Sequence, residues 1–281
     1  MGEIAQRFLH ISQVSYTASS SLFGEDKFSY PRFYRLVPIT EQVADGYVAV
    51  VKKLRWRRVA VISHDSELHL SVGRYTVDRL TNNSIHVLTH ESFGHDPTHV
   101  IKSVKRVNAR IIITWIPHTV AVHFWCMVIR ERLAGPDFVW FLPGWFKANW
   151  WSAGNDTSCS ANKIKATLEH TLGGLGNSLP VTNLSRIIVS DQNVSQFEED
   201  LIEIENSSGS VTTDIFLNYG YIYDAMWTIA LALNSSISIL EDRGLGRLED
   251  FTYDSVEMAN VFTEAVANVS FEGISDVHEY A

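Results

Sequence analysis

The sequence predicts an α/β fold built on a parallel, doubly wound sheet, and three features of residues 58–145 predict it. Strand-like segments alternate with segments of helix length: RVAVIS (Arg58–Ser63), Glu67 to Leu80, SIHVLTHESF (Ser84–Phe93), a helix opened by Asp96-Pro97, ARIIITWI (Ala109–Ile116), His118 to Leu133, then DFVWFLPGW. Such alternation implies right-handed crossovers between parallel strands. ARIIITWI is an almost unbroken apolar run, as a strand covered on both faces requires. The helix ends are also marked. Asp96 suits a cap with Pro97 at the first helical position, and Arg130, Arg132 and Gly135 close the helix that begins at His118.

The remaining elements follow in chain order. Glu3 to Leu9 reads as the end of a helix and Ile11 to Tyr16 as a strand, followed at once by Thr17-Ala18-Ser19-Ser20-Ser21. A hydroxyl-rich turn at the carboxyl end of such a strand is either a solvated loop or a place where α/β sheets bind ligands, its hydroxyls and N–H groups suiting a carboxylate or phosphate. FYRLVP (Phe33–Pro38) is a short strand stopped by proline. Thr40 caps a helix whose Val43, Tyr47, Val50, Val51 and Leu54 share one face. GWFKANWW (Gly144–Trp151) is an aromatic loop suited to packing or to closing over a ligand. Gly173-Gly174-Leu175-Gly176 suits a connector, since it lacks the spacing and preceding strand of a dinucleotide site. Gln196 to Glu205 is a short acidic helix and Asn206 to Ser210 a loop. Tyr219 to Leu240 is the longest helix, with Tyr223, Trp227, Ala230, Leu231 and Asn234 along one stripe. Asp254-Ser255-Val256-Glu257 forms a capping box for a last helix through Val266.

Composition limits the function. A net charge of −9 argues against nucleic acid, which demands clustered Lys and Arg. Hydrophobic content of 46% is enough for real cores. No apolar run approaches the ~18 residues that span a bilayer, and Met1 is followed by no signal-peptide pattern. Yet Asn-x-Ser/Thr follows seven of the 14 asparagines: Asn82, Asn155, Asn183, Asn193, Asn206, Asn234 and Asn268. That excess over chance points to the secretory route and to glycosylation at these sites. The two cysteines, Cys126 and Cys159, can form one disulfide or remain two buried thiols. Catalytic patterns are missing: there is no G-x-S-x-G elbow, no H-E-x-x-H and no Walker loop. His90, His95 and His99 cluster in sequence without a reason to converge on a metal. The chain is not expected to be an enzyme.

Several stretches together carry a family resemblance: SYTASSS, FYRLVP, the segment from Cys126 through WFLPGWFKANWW to Cys159, YDAMWTIALALN, RLEDFTY and SFEGISD. They resemble the extracellular ligand-binding module of metabotropic GABA receptors of type B. These are class C G-protein-coupled receptors whose module has the two-lobe periplasmic-binding-protein type I fold. The resemblance implies that residues 1–36 end a first pass through lobe 1, residues 37–171 form lobe 2, and residues 172–281 return to lobe 1. Lobe 1 is then incomplete, the chain a fragment, and its residual helices, the one bearing Trp227 above all, should expose apolar faces.

The resemblance also implies the site. Ser20, between Ser19 and Ser21, corresponds to a serine that binds the ligand carboxylate, and Trp145 to a tryptophan that packs on the ligand. Cys126 and Cys159 correspond to a disulfide within lobe 2. Three positions depart from the agonist-binding subunit: Val37 replaces a histidine, Pro117 a tyrosine, and Asn218 an acidic residue that faces the ligand's ammonium. A buried ammonium without its countercharge costs several kcal/mol, so GABA itself is disfavoured. Val37, PGW…WW and GYIYDAMW resemble the partner subunit that couples to G protein. The implied partners are a small amino-acid-like ligand, a second receptor subunit and, through a membrane region, a G protein, with the parent receptor in the cell membrane. No cofactor is implied. Two other readings remain: an amino-acid receptor module of changed specificity, and a soluble α/β binding protein.

Overall fold

In residues 58–173 the alternation read from the sequence becomes one five-stranded parallel sheet. The structure, a computed structural model, describes residues 9–21, 23, 27–146, 149–152, 159–173, 184–208, 216–275 and 277–279. The chain divides into two compact units: unit 1 comprises residues 1–39 and 177–281, and unit 2 residues 40–176.

Unit 2 opens with helix α1 (Thr40–Lys53) and continues through β3 (Arg58–His64), α2 (Glu67–Asn82), β4 (His86–Phe93), α3 (Thr98–Arg106), β5 (Ile111–Trp115), α4 (His118–Arg130), β6 (Val139–Leu142), α5 (Ala161–Thr167) and β7 (Thr171–Gly173). The sheet order is β4-β3-β5-β6-β7, every pair parallel. Successive side chains point to opposite faces, so the apolar runs feed two cores. Val59, Val61, Ile111, Ile113 and Trp115 meet Ala44, Tyr47, Val51, Val72 and Leu80 of α1 and α2. Ala60, Ile62 and Ile112 meet Ile101, Val104, Phe124, Trp125, Val128 and Ile164 of α3, α4 and α5. Helices therefore cover both faces, as a doubly wound sheet requires.

Several boundaries and faces differ from the sequence reading. Alpha-helix α1 buries Ala44, Tyr47, Val48 and Val51, while Val50 and Leu54 face outward, so the inward stripe is turned from the expected one. Helix α3 begins at Thr98, one residue later than expected. The Asp96 carboxylate still serves its start, accepting the Thr98 N–H at 2.9 Å. Helix α4 ends at Arg130, and Arg132 takes the left-handed conformation (φ 59°) that ends it, ahead of Gly135. Strand β7 was not expected, being three residues long and half glycine-bounded.

Cys126 on α4 and Cys159 just before α5 are joined as a disulfide, Cα atoms 5.7 Å apart, 33 residues apart in sequence. The bridge ties α5 and the aromatic segment around Trp150 and Trp151 to the α4 face of the core. Replacing both cysteines with serine is expected to lower the stability of unit 2 by about 3–4 kcal/mol, a drop of roughly 10 °C in its midpoint, mainly by freeing the unfolded chain. Thermal melts with and without reductant, on parent and variant, check this: reductant should bring the parent down to the variant.

Unit 1 contains the parallel pair β1 (Gln13–Ser15) and β2 (Phe33–Arg35), helices α6 (Val194–Ser208), α7 (Phe216–Arg243) and α8 (Val256–Ala267), and the antiparallel pair β8 (Ser270–Glu272) and β9 (Val277–Glu279). Val14 and Tyr34 of the strands pack on Trp227, Leu231 and Ala232 of α7 and on Ala265 and Val266 of α8. Buried Arg32 fastens the start of β2 to α8. Its guanidinium donates to the Ala259 carbonyl at 2.8 Å, the Thr263 hydroxyl at 2.6 Å and the Asn260 amide oxygen at 2.7 Å.

Two expectations fail here and a third holds only in part. Residues 206–208 continue α6 instead of starting a loop. Ser255 accepts the Thr252 N–H at 3.1 Å and makes no cap bond to α8, so the expected capping box is not formed. The stripe expected on α7 holds in part: Tyr223, Trp227 and Leu231 pack half-buried against the core, Ala230 and Asn234 are exposed, and the fully buried positions are Tyr221, Asp224, Ala225, Thr228, Ala232, Ser236 and Leu240. An outward apolar stripe results, with Met226 at 64% exposure and Ile229, Leu233 and Ile237 near 40%. Trp227 is not part of it, being half-buried in the core. Beside the stripe lies an apolar cavity of about 260 Å³, lined by Ile11, Val14, Ile229, Leu233, Phe251 and Phe262 among others. The expected helix end at Glu3–Leu9 lies outside the described residues except for Leu9.

Candidate ligand-binding site

The hydroxyl-rich turn follows β1 in unit 1 and is held from both sides. The Ser15 hydroxyl accepts the Ala18 N–H at 3.0 Å and the Thr17 N–H at 3.3 Å, bending the chain as β1 ends. Arg35, at the end of the neighbouring strand, donates to the Ser20 carbonyl at 2.6 Å and the Ser21 carbonyl at 3.4 Å. The turn's carbonyls are thus occupied by a cation, and that cation adds positive charge beside Ser19, Ser20 and Ser21. The Lys27 ammonium donates to the Phe33 carbonyl at 2.7 Å and lies 4.6 Å from the Tyr34 ring centre. Burial, then the neighbouring Arg35, pulls the Lys27 pKa below its usual value. Ser20 is half-buried, and its hydroxyl makes no hydrogen bond among the described residues. An anion is what such a turn can hold.

Trp145 lies in unit 2, in the loop after β6, so the structure assigns it and the serine turn to different units. Its indole stacks on Trp115, ring centres 5.9 Å apart and planes 27° apart. Trp115 is completely buried, stacks in turn on Tyr47 at 5.2 Å, and donates its indole N–H to the Thr76 hydroxyl at 2.9 Å. One indole is thus fixed rigidly to seat a second, half-buried one near the carboxyl end of the sheet. That end is where open α/β sheets take ligands, at the point where the order of strands reverses, here between β3 and β5.

The sequence did not single out the histidines beside Trp145. His69, in the first turn of α2, lies 6.0 Å from the Trp145 ring centre and 5.9 Å from that of His64, the last residue of β3. The Ser66 hydroxyl joins them, 2.7 Å from His69 Nδ1 and 3.1 Å from His64 Nδ1. Burial first, and His64 second, holds the His69 pKa down to about 4. The available signal was S-H-D-S-E-L-H directly after a buried strand.

Val37 is buried and Pro117 stands just before α4. Asn218 falls in the first turn of α7. Among the asparagines of the sequons, Asn82 and Asn268 are exposed at the ends of α2 and α8, and Asn234 is exposed within α7. Asn193 caps α6, its amide oxygen accepting the Gln196 N–H at 2.8 Å while Gln196 accepts the Asn193 N–H at 2.9 Å. Asn206 falls within α6; Asn155 and Asn183 lie outside the described residues. Among the described residues, no three His, Cys, Asp or Glu side chains gather where a metal could sit, and no helix is long and apolar enough to cross a membrane. His99 donates its Nε2–H to the Ser92 carbonyl at 3.0 Å, and His90 faces Ser63.

Residues 1–280 match the family described as the receptor family ligand binding region. The chain belongs to that family. It is a receptor family and not an enzyme family, and the parallel α/β architecture accords with a periplasmic-binding-protein-like fold. The chain is 26% identical over 271 residues to gamma-aminobutyric acid type B receptor subunit 2 of Rattus norvegicus, covering 95% of this chain. It is 29% identical over 273 residues to subunit 1 of Mus musculus and 25% over 264 residues to subunit 1 of Caenorhabditis elegans. It spans 28% of the length of the rat and mouse relatives and 29% of the worm one. The ligand-binding region described here is therefore similar to that of class C G-protein-coupled receptors of the GABA type B kind.

Proposed function

We propose that the chain is an extracellular ligand-binding-domain segment of a GABA-type-B-like receptor, from the subunit type that pairs with an agonist-binding partner. Unit 1 corresponds to lobe 1 and unit 2 to lobe 2. Subunits 1 and 2 match at similar identity, so the subunit type rests on particular residues. The observation that carries it is Val37, a buried apolar side chain where the agonist-binding subunit has an imidazole. Pro117 and Asn218 point the same way, leaving a ligand's ammonium without a carboxylate. Such a subunit acts through its partner and, by way of a membrane region, on a G protein. The sequons suit an extracellular, glycosylated segment joined to a cell-membrane receptor.

A second reading has its own support. Within unit 1, Ser20 offers a half-buried hydroxyl in a turn whose carbonyl Arg35 holds, and within unit 2 Trp145 is a seated indole; each by itself suits a contact to an amino-acid-like ligand other than GABA. Calorimetry of the receptor ectodomain with GABA, glutamate and a panel of amino acids separates the two. No heat with any of them is expected. Saturable GABA binding would refute the preferred reading, and saturable binding of another amino acid would establish the second. A secreted product whose mass fails to fall on treatment with an N-glycosidase would favour a soluble α/β binding protein.

A further inference from the structure

We propose that His69 is a positioning residue for Trp145, and that the hydroxyl of Ser66 makes the position of that indole depend on pH. The geometry is local to unit 2. Trp145 has Trp115 stacked against it and the His69 ring as a second neighbour, its plane 64° from that of the indole. Trp115 is fixed by its burial and its bond to Thr76, so it cannot follow a moving indole. His69 is the adjustable side of the seat.

The protons are counted as follows. The Ser66 backbone N–H donates to His64 Nδ1 at 3.2 Å, so that nitrogen is an acceptor and the His64 ring proton sits on Nε2. The Ser66 hydroxyl has one proton for two ring nitrogens, and the shorter contact, 2.7 Å, gives it to His69 Nδ1. With His69 neutral this set is satisfied. A proton placed on His69 Nδ1 reverses the bond: the ring then donates to the Ser66 hydroxyl, which can no longer donate to it. A cation is created in a half-buried place, against an indole and 5.9 Å from a second imidazole. The ionisable group that bears on it is His64 from the end of β3, which Asp65 of the following turn faces in turn; from the loop after β6 it meets Trp145, which does not titrate. Asp65 lies 3.4 Å from His64 Nδ1 and 59% exposed, so it compensates the pair weakly.

The sign follows from the direction of the shift. The folded His69 pKa lies below its ordinary 6.5, so the fold favours the neutral ring. The seated indole is fully present above 6.5 and is lost as pH falls toward and through about 4. In consequence, whatever Trp145 contributes to ligand affinity falls in acid. That consequence rests on Trp145 being a ligand contact, whereas the positioning itself does not.

The test therefore uses no ligand. Emission of the full chain minus that of its Trp145→Phe variant isolates one indole, and it is followed from about pH 7.5 to about pH 3.5, the window in which a histidine of depressed pKa gains its charge. Far-UV circular dichroism is recorded in parallel. The expected difference signal is flat near neutrality and changes with a midpoint well below 6.5 while the dichroism is unchanged. His69→Gln abolishes the transition, and His64→Gln, which removes the nearby ring that disfavours the cation, moves it to higher pH. A flat signal in the parent, a transition that survives His69→Gln, or one that coincides with loss of secondary structure overturns the proposal. Because none of these readings involves an amino acid, failure here is distinguishable from failure of the receptor assignment.

Discussion

Asp224→Ala is expected to destabilise unit 1 by about 3–5 kcal/mol, a large part of an ordinary domain's stability. Asp224 lies on the buried face of α7, one turn after Tyr221, and is completely inaccessible. Its carboxylate accepts the Ile274 N–H at 2.8 Å, the Ser275 N–H at 2.7 Å and the Ser275 hydroxyl, so one side chain holds the segment that follows β8 against the helix. Gly273 lets that segment come close enough: a Cβ there would lie 2.6 Å from the Asp224 carboxyl group. Removing the carboxylate strands two buried N–H donors, each costing about 1–3 kcal/mol. Amide exchange at Ile274 and Ser275, with a urea melt of the variant, measures the loss. Asp224→Asn is the informative control. It keeps the volume but turns one acceptor into a donor aimed at an N–H, so it should lose nearly as much; a fully stable asparagine variant would show that the bonds matter less than the packing.

Trp115→Ala should cost unit 2 about 3–5 kcal/mol, the range for deleting a buried aromatic side chain. Three contacts go together: the stack on Tyr47, the bond to Thr76 and the support of Trp145. Trp145→Ala, by contrast, removes a half-buried ring at the rim and should cost clearly less. Thr76→Val separates the terms, since it keeps the shape but leaves the indole N–H unsatisfied, at about 1–3 kcal/mol. Denaturant melts of the three variants test the order Trp115→Ala, Thr76→Val, Trp145→Ala if the last is at or below 1 kcal/mol. Equal losses for Trp115→Ala and Trp145→Ala would mean that the rim indole is as fixed as the buried one.

Unit 2 was readable from its sequence because parallel strands covered on both faces must be apolar nearly throughout, and RVAVIS and ARIIITWI are. The misreadings fall where burial departs from apolarity. Helix α7 turns Asp224, Thr228 and Ser236 inward and Met226, Ile229 and Leu233 outward, so the stripe read from the sequence is only partly inward: Tyr223, Trp227 and Leu231 pack on the core while Ala230 and Asn234 do not. An acidic residue inside the run YIYDAMWTIALAL was the usable sign that a buried partner awaits it. Strand β7 escaped because three residues ending in glycine carry neither periodicity nor bulk. At the candidate site, the serine turn and Trp145 stood out by position, after strands. Arg35, which holds the turn, and His69, which flanks the indole, did not, since each acts through a neighbour that only the folded chain supplies.

The division of unit 1 between two stretches of chain sets an order for its making. On the ribosome, β1 and β2 emerge ahead of unit 2, and the bond from Arg32 to Asn260 waits for a residue 228 positions later. Unit 2 has every strand of its sheet by Gly173 and can finish folding while the rest is still being synthesised. Until α7 and α8 follow, Val14 and Tyr34 lack the Ala232, Ala265 and Val266 on which they pack. Slowing translation should therefore help unit 2 little, whereas truncating the chain before α8 should leave unit 1 without the helix that closes it.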